Sequence, residues 1–140
     1  MTYEEKLVWL NRYRAAYKKK QKLKDDLAEA REAAQHTTQS LSAVPGGSGD
    51  GQSIARAVER AEALEQEFKT QYELSVQIYE EILDALYEVL KENGRDNTDY
   101  IILHERYLEN MKWDDIAAHM HFSLRWVFTR HRNAVERMNL

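Results

Sequence analysis

Cysteine is absent from this 140-residue chain, which excludes a disulfide framework, a thiolate metal site and a cysteine nucleophile together. Proline occurs once and glycine five times, too rarely for a turn-rich all-β sandwich or barrel. No apolar run approaches the ~18 residues of a membrane span, and no short apolar stretch near the start resembles a signal peptide. A cytoplasmic protein without membrane association is therefore expected. What the chain has in abundance is charge: Asp, Glu, Lys and Arg make up 31%, and mean hydropathy is −0.74. The formal net charge of −4, taken alone, argues against a nucleic-acid partner.

The few helix breakers are concentrated. Pro45 and four glycines lie in the stretch 45–51, and Gly94 is followed by Arg95-Asp96-Asn97. The three intervening pieces contain neither Gly nor Pro, as long helices require, since Gly costs about 1 and Pro about 3 kcal/mol inside one. No internal repeat of solenoid length is present.

The first piece opens with Thr2-Tyr3-Glu4-Glu5, the Thr-x-x-Glu of a capping box. Apolar or small residues then recur on one face, from Tyr3, Leu7 and Leu10 through Tyr13, Tyr17, Leu23, Leu27 and Ala30. The second piece, with Ser53 as the expected N-cap, carries the stripe Ile54, Val58, Ala61, Leu64, Phe68, Tyr72, Ile78, Ile82, Leu86 and Val89, and closes at Asn93-Gly94. Its forty or so residues would form a rod of roughly 60 Å, and a narrow stripe on so long a helix needs a partner helix. The first piece, folded back across the loop at 45–51, is the expected partner. The charges agree: residues 1–51 carry nine Lys/Arg and seven Asp/Glu, residues 52–94 four and ten. The reading is all-α, with an antiparallel helical hairpin (a coiled coil) over 1–94. The same stripes would also serve pairing between two chains, and Trp9, Tyr79, Leu83 and Leu90 remain as apolar surface for a homodimer.

Residues 95–140 read as a separate domain of three short helices. Asn97 or Thr98 caps the first, Asn110-Met111-Lys112 forms a joint, and Trp113–Met120 makes two turns with Asp114 and Asp115 at its start. His121-Phe122 turns the chain and Ser123 caps the last helix. That outline is a helix-turn-helix. Ile116 and Val127 are apolar where the two helices must touch, Ala117 is small at their close approach, and Phe122 is expected to plug the turn. His121 stands where Gly is common because φ is positive there, and His is among the residues enriched at positive φ. From Phe122 onward there are four arginines and one acid. The expected DNA-binding residues are Ser123, Leu124, Arg125, Trp126, Thr129, Arg130 and Arg132: Arg125 and Trp126 for base edges, Thr129 for bases or phosphate, Arg130 and Arg132 for phosphate oxygens. His121 and His131 could add charge in a phosphate field.

The run Arg106-Tyr107-Leu108-Glu109-Asn110-Met111-Lys112-Trp113-Asp114-Asp115-Ile116-Ala117 resembles the "RYL-x-(G/N)-x-(T/K)-W-(E/D)-(E/D)-IA" pattern of phage-encoded regulators related to region 4 of bacterial sigma factors. Phe122-Ser123, Arg125, Val127, Arg130, His131 and Ala134 look like the remainder of that signature. A long helical segment with a Pro-Gly-Gly-Ser-Gly-Asp loop is similar to the same small phage and prophage proteins, which include late regulators of the ArpU and RinA type. The resemblance implies a transcriptional regulator in a bacterial host cytoplasm. Its last helix would enter the major groove of a promoter element of the −35 type, with RNA polymerase as a second contact. Nothing in the first 94 residues resembles the sigma region that reads the −10 element, so an auxiliary activator or partial sigma-like factor is implied rather than an independent one.

Other features have blander readings. The run 11–24 holds seven Lys/Arg and no acid; it is a solvated face, a second phosphate contact or a patch for an acidic partner. His119-x-His121 invites a metal reading, but zinc needs three or four converging ligands. The glycine stretch lacks the Gly-Lys-Ser/Thr ending of a phosphate loop, and adjacent carboxylates such as Asp114-Asp115 point apart on a helix. No enzyme, no cofactor, no metal and no small-molecule substrate is expected. Two competing functions remain: a phage small terminase subunit, which also joins a helix-turn-helix to helical oligomerisation segments, and a protein-only adaptor that has lost DNA binding.

Overall fold

A computed structural model describes residues 1–42 and 51–140 of the chain, so the loop expected at 45–51 lies, except for Gly51, outside the described residues. All regular structure among the described residues is helical: α1 (Tyr3–Leu10), α2 (Arg12–Ser42), α3 (Gly51–Glu92), α4 (Thr98–Tyr107), α5 (Trp113–Met120) and α6 (Leu124–Arg137). None of these helices is long and apolar enough to cross a membrane.

Local chemistry sets the helix ends. The capping box forms: Thr2 Oγ1 accepts the Glu5 N–H at 3.2 Å and the Glu5 carboxylate accepts the Thr2 N–H at 2.7 Å. Asn11 interrupts what the sequence presents as one helix, donating its side-chain amide to Leu7 O at 2.9 Å. Its backbone stays right-handed, so the interruption is one residue long. α3 starts at Gly51, two residues before the expected cap Ser53. It ends before Gly94, which takes φ +64°, a left-handed conformation that glycine adopts without a side-chain penalty. At α4, Asn97 supplies no side-chain cap; the Asp96 carboxylate accepts the Thr98 N–H at 3.0 Å instead.

The described residues form two compact units, Met1–Ala16 with Ser75–Leu140, and Tyr17–Leu74. The core of the first joins Leu10 of α1, Ile82, Leu86 and Val89 of α3, Leu103 and Tyr107 of α4, and Ala134 and Val135 of α6. An adjoining cluster of Ile102, Ile116, Ala117 and Val127 ties α4, α5 and α6 together. Packing therefore does not follow the expected division into 1–94 and 95–140. The reason is the apolar face of α1: Tyr3, Leu7 and Leu10 pack with the core that α6 also joins, and the buried Lys6 ammonium donates to Glu136 O at 2.9 Å.

Within the second unit, Leu27, Ala30 and Gln71 are buried. Arg31 and Glu65 approach to 3.6 Å, and the Lys20 ammonium lies 5.3 Å from the centre of the Tyr72 ring.

Candidate nucleic-acid interface

The segment between α5 and α6 is three residues long and every one of them has a defined task. His121 takes φ +59° and ψ +37°, the left-handed conformation that a tight turn requires here. Phe122 N–H then donates to Ala117 O at 3.0 Å, which reverses the chain over the last turn of α5. Ser123 Oγ accepts the Trp126 N–H at 3.2 Å and caps α6. α5 itself begins at Trp113, its N-cap Lys112 makes no side-chain cap hydrogen bond, and Asp114 and Asp115 supply the negative charge favoured at its start. Ile116 and Val127 are fully buried against one another's cluster, and Ala117 is buried with them.

Phe122 does not plug the turn. The residue is 43% exposed and its ring stacks on Trp126 at 3.9 Å, outside the cluster that Ile116, Val127, Met120 and Trp126 form.

α6 divides into three faces. Val127, His131, Ala134 and Val135 point into the core. Trp126 and Arg130, four residues apart, lie along one flank, with the Arg130 guanidinium 5.2 Å from the Trp126 ring centre. Leu124, Arg125, Phe128, Thr129 and Arg132 follow the spacing i, i+1, i+4, i+5 and i+8 and are all exposed. Thr129 Oγ1 donates to Arg125 O at 3.0 Å. Arg132 reaches Glu136 at 3.0 Å, a turn further on, with its guanidinium 5.0 Å from the Tyr3 ring centre. Arg125 forms no ion pair among the described residues.

Two of the expected DNA contacts are placed elsewhere. Arg130 donates to Asp99 at 2.8 Å and to Asp96 at 3.0 Å. Asp99 is 2% exposed and also accepts from Arg137 at 2.8 Å and Asn93 at 3.0 Å. A buried carboxylate needs such a set of donors to offset its lost hydration, so the Arg130 guanidinium is committed to it rather than free for phosphate. Burial opposes the Arg130 charge, but the hydrogen bonds to Asp96 and Asp99 outweigh it and hold its pKa above the usual value. Hydrogen bonds from Thr98, and then from Arg130, hold the Asp96 carboxyl down at about 2. Trp126 is half-buried against the α4–α5–α6 cluster.

His131 is likewise internal. It shares a hydrogen bond of 2.6 Å with the buried Tyr107 hydroxyl. Burial, with the Arg106 charge nearby, lowers its pKa to about 4, so it is neutral near pH 7 and adds no charge to a phosphate field. His119 pairs with Glu105 of α4 at 2.5 Å, and no group of three or more potential metal ligands occurs among the described residues. In the basic run, Arg12 pairs with Glu81 at 2.8 Å, while Lys18, Lys19, Lys22 and Lys24 are exposed.

No family model, curated protein or solved structure matches this chain. Its chemistry has to be read from its own surface. The outward face of α6 offers one unpaired guanidinium, a hydroxyl and a second guanidinium along about two turns, and its first turn contains no acid. Phe128 belongs to the same face and was not among the expected contacts. The signal for it is its spacing: it follows Leu124 by four residues, out of phase with the buried Val127 and His131.

Proposed function

We propose that this chain is a sequence-specific DNA-binding regulator of transcription, in which α5, the three-residue turn and α6 act as a helix-turn-helix. The observation that carries this reading is the exposed face of α6. Arg125 projects unpaired from the first turn of a helix whose opposite face is wholly buried, so a rigid scaffold presents the side chain best suited to guanine. The left-handed His121 and the capping Ser123 support the same reading, because they fix how α6 leaves the turn. Arg125, Thr129, Leu124 and Ser123 would face bases and Arg132 the phosphates, while Trp126 and Arg130 position the helix.

The likeness of residues 106–138 to sigma region 4 supports a promoter as the target and RNA polymerase as a second partner. The pairings of Arg31 with Glu65 and Lys20 with Tyr72 run in opposite chain directions and support an antiparallel hairpin of α2 and α3, the segment that would mediate dimerisation or the polymerase contact.

Selection of bound duplexes from a random pool by the full chain, at two salt concentrations, tests the reading. Enrichment of one defined sequence, with polymerase co-purifying from a bacterial lysate, is the expected result. A protein that binds no duplex even at low salt is an adaptor instead, and a ring of eight or more subunits by light scattering favours genome packaging.

A further inference from the structure

The outward face of α6 is only half polar. Leu124 is 37% exposed and Phe128 43%, side by side with Arg125, Thr129 and Arg132. Each leaves more than a third of its surface in water on an otherwise polar face, and the two adjoin one another at i and i+4. Phe128 is also held in place: its ring meets Trp113 edge to face at 5.2 Å, and Trp113 is fixed in turn by the Arg106 guanidinium at 4.6 Å and the His131 ring at 4.7 Å. A held, exposed ring is a contact surface made in advance.

Resting on the reading of α6 as the groove-entering helix, we infer that Leu124 and Phe128 read the 5-methyl groups of thymine. The cations beside them select a polyanion, and the major-groove floor of unmodified duplex DNA offers only one apolar group, the thymine methyl. A row of Arg125 and Thr129 beside a row of Leu124 and Phe128 therefore specifies a mixed element: a guanine opposite Arg125, with thymines alongside where Leu124 and Phe128 approach. Hydrogen bonding alone would give no reason for the two apolar side chains at this spacing.

The test uses the full chain and the duplex enriched from the random pool, resynthesised with deoxyuridine replacing thymine one position at a time. That change removes a methyl group and leaves every hydrogen-bonding edge intact. Burial of one methyl corresponds to about a fourfold change in affinity, so one or two positions should weaken binding about fourfold each. Phe128→Ala should bind the thymine duplex more weakly and should no longer distinguish uracil from thymine at its position, with Leu124→Ala doing the same at the other. Neither side chain belongs to the buried core, so helical content by circular dichroism should be retained. Equal affinity of the unaltered protein for thymine and uracil at every position overturns the inference while leaving DNA binding intact. Failure to bind any duplex overturns the proposed function itself. Self-association abolished by Phe128→Ala, with uracil discrimination unaffected, would show that a second copy of the chain covers this face and overturns the inference too.

Discussion

Arg125 and Arg130 stand on the same helix in opposite settings, one without an ion pair among the described residues and one bound to a buried carboxylate, and mutation separates them. Arg125→Ala should weaken binding to the selected duplex by about tenfold or more, as loss of a bidentate guanine contact does, and leave the unfolding midpoint unchanged. Arg130→Ala should instead lower stability by about 2–3 kcal/mol in urea unfolding. It strips donors from the buried Asp99, and the figure lies below the 3–5 kcal/mol of a fully buried pair because the Arg130 side chain is 30% exposed. An Arg130→Ala protein as stable as the parent would refute the positioning role. His131 makes stability depend on pH. Its folded pKa of about 4 lies below the ordinary 6.5, so between those values the unfolded chain binds the proton and the folded one does not. The contribution is complete above pH 6.5 and is lost as pH falls towards 4, at most about 3 kcal/mol. Urea titrations from pH 7 to 4 should show this loss, and His131→Asn should flatten it.

Among the elements, the joints decide more than the helices. His121 is a side chain in glycine's conformation, so His121→Gly should raise stability by about 1 kcal/mol, measured by thermal unfolding with DNA affinity retained. The packing of α1 and α3 against α4 and α6 yields a stronger expectation. A fragment 95–140 keeps Leu103, Tyr107 and Val135 but loses Leu10, Ile82, Leu86 and Val89, with which they share a core. It should be largely unfolded by circular dichroism; a helical fragment with a cooperative melt would contradict this. The sequence shows the all-helical class, the capping box, the Ser123 cap and the inward Ile116, Ala117 and Val127, because each is a local pattern of a few residues. It does not show that α1 belongs with α6, since an apolar stripe states a need for a partner without naming it. Nor does it show that Arg130 serves Asp99, thirty-one positions away. Arginines on one basic helix look alike until the buried carboxylate is located.

For the whole molecule, net charge is a poor guide. The formal −4 divides into +2 over residues 1–51, −6 over 52–94 and 0 over 95–140, and within that last part residues 122–140 hold +3. The acidity belongs chiefly to α3. Any phosphate contact should appear in the salt dependence of binding, at a slope of about −0.9 per contact on logarithmic axes. Lys18, Lys19, Lys22 and Lys24 are exposed and lie in the other compact unit from α6. Replacing all four by Gln should leave the preferred sequence unchanged, because phosphate contacts carry no base information, and a shallower slope would show that the run touches the DNA backbone.

The hydrogen bond from Lys6 to Glu136 closes over 130 residues of chain. Contacts of such separation slow folding, because the long intervening segment must be ordered before they form. At about 5–20 residues per second, α1 leaves the ribosome roughly ten seconds before α6 exists. Through that interval Leu7 and Leu10 lack the part of their core that α6 supplies, and α6 joins a floor whose other elements have all been made before it. A chain truncated before Leu124 lacks the proposed reading helix altogether, so that surface forms only after the elements beneath it have been made.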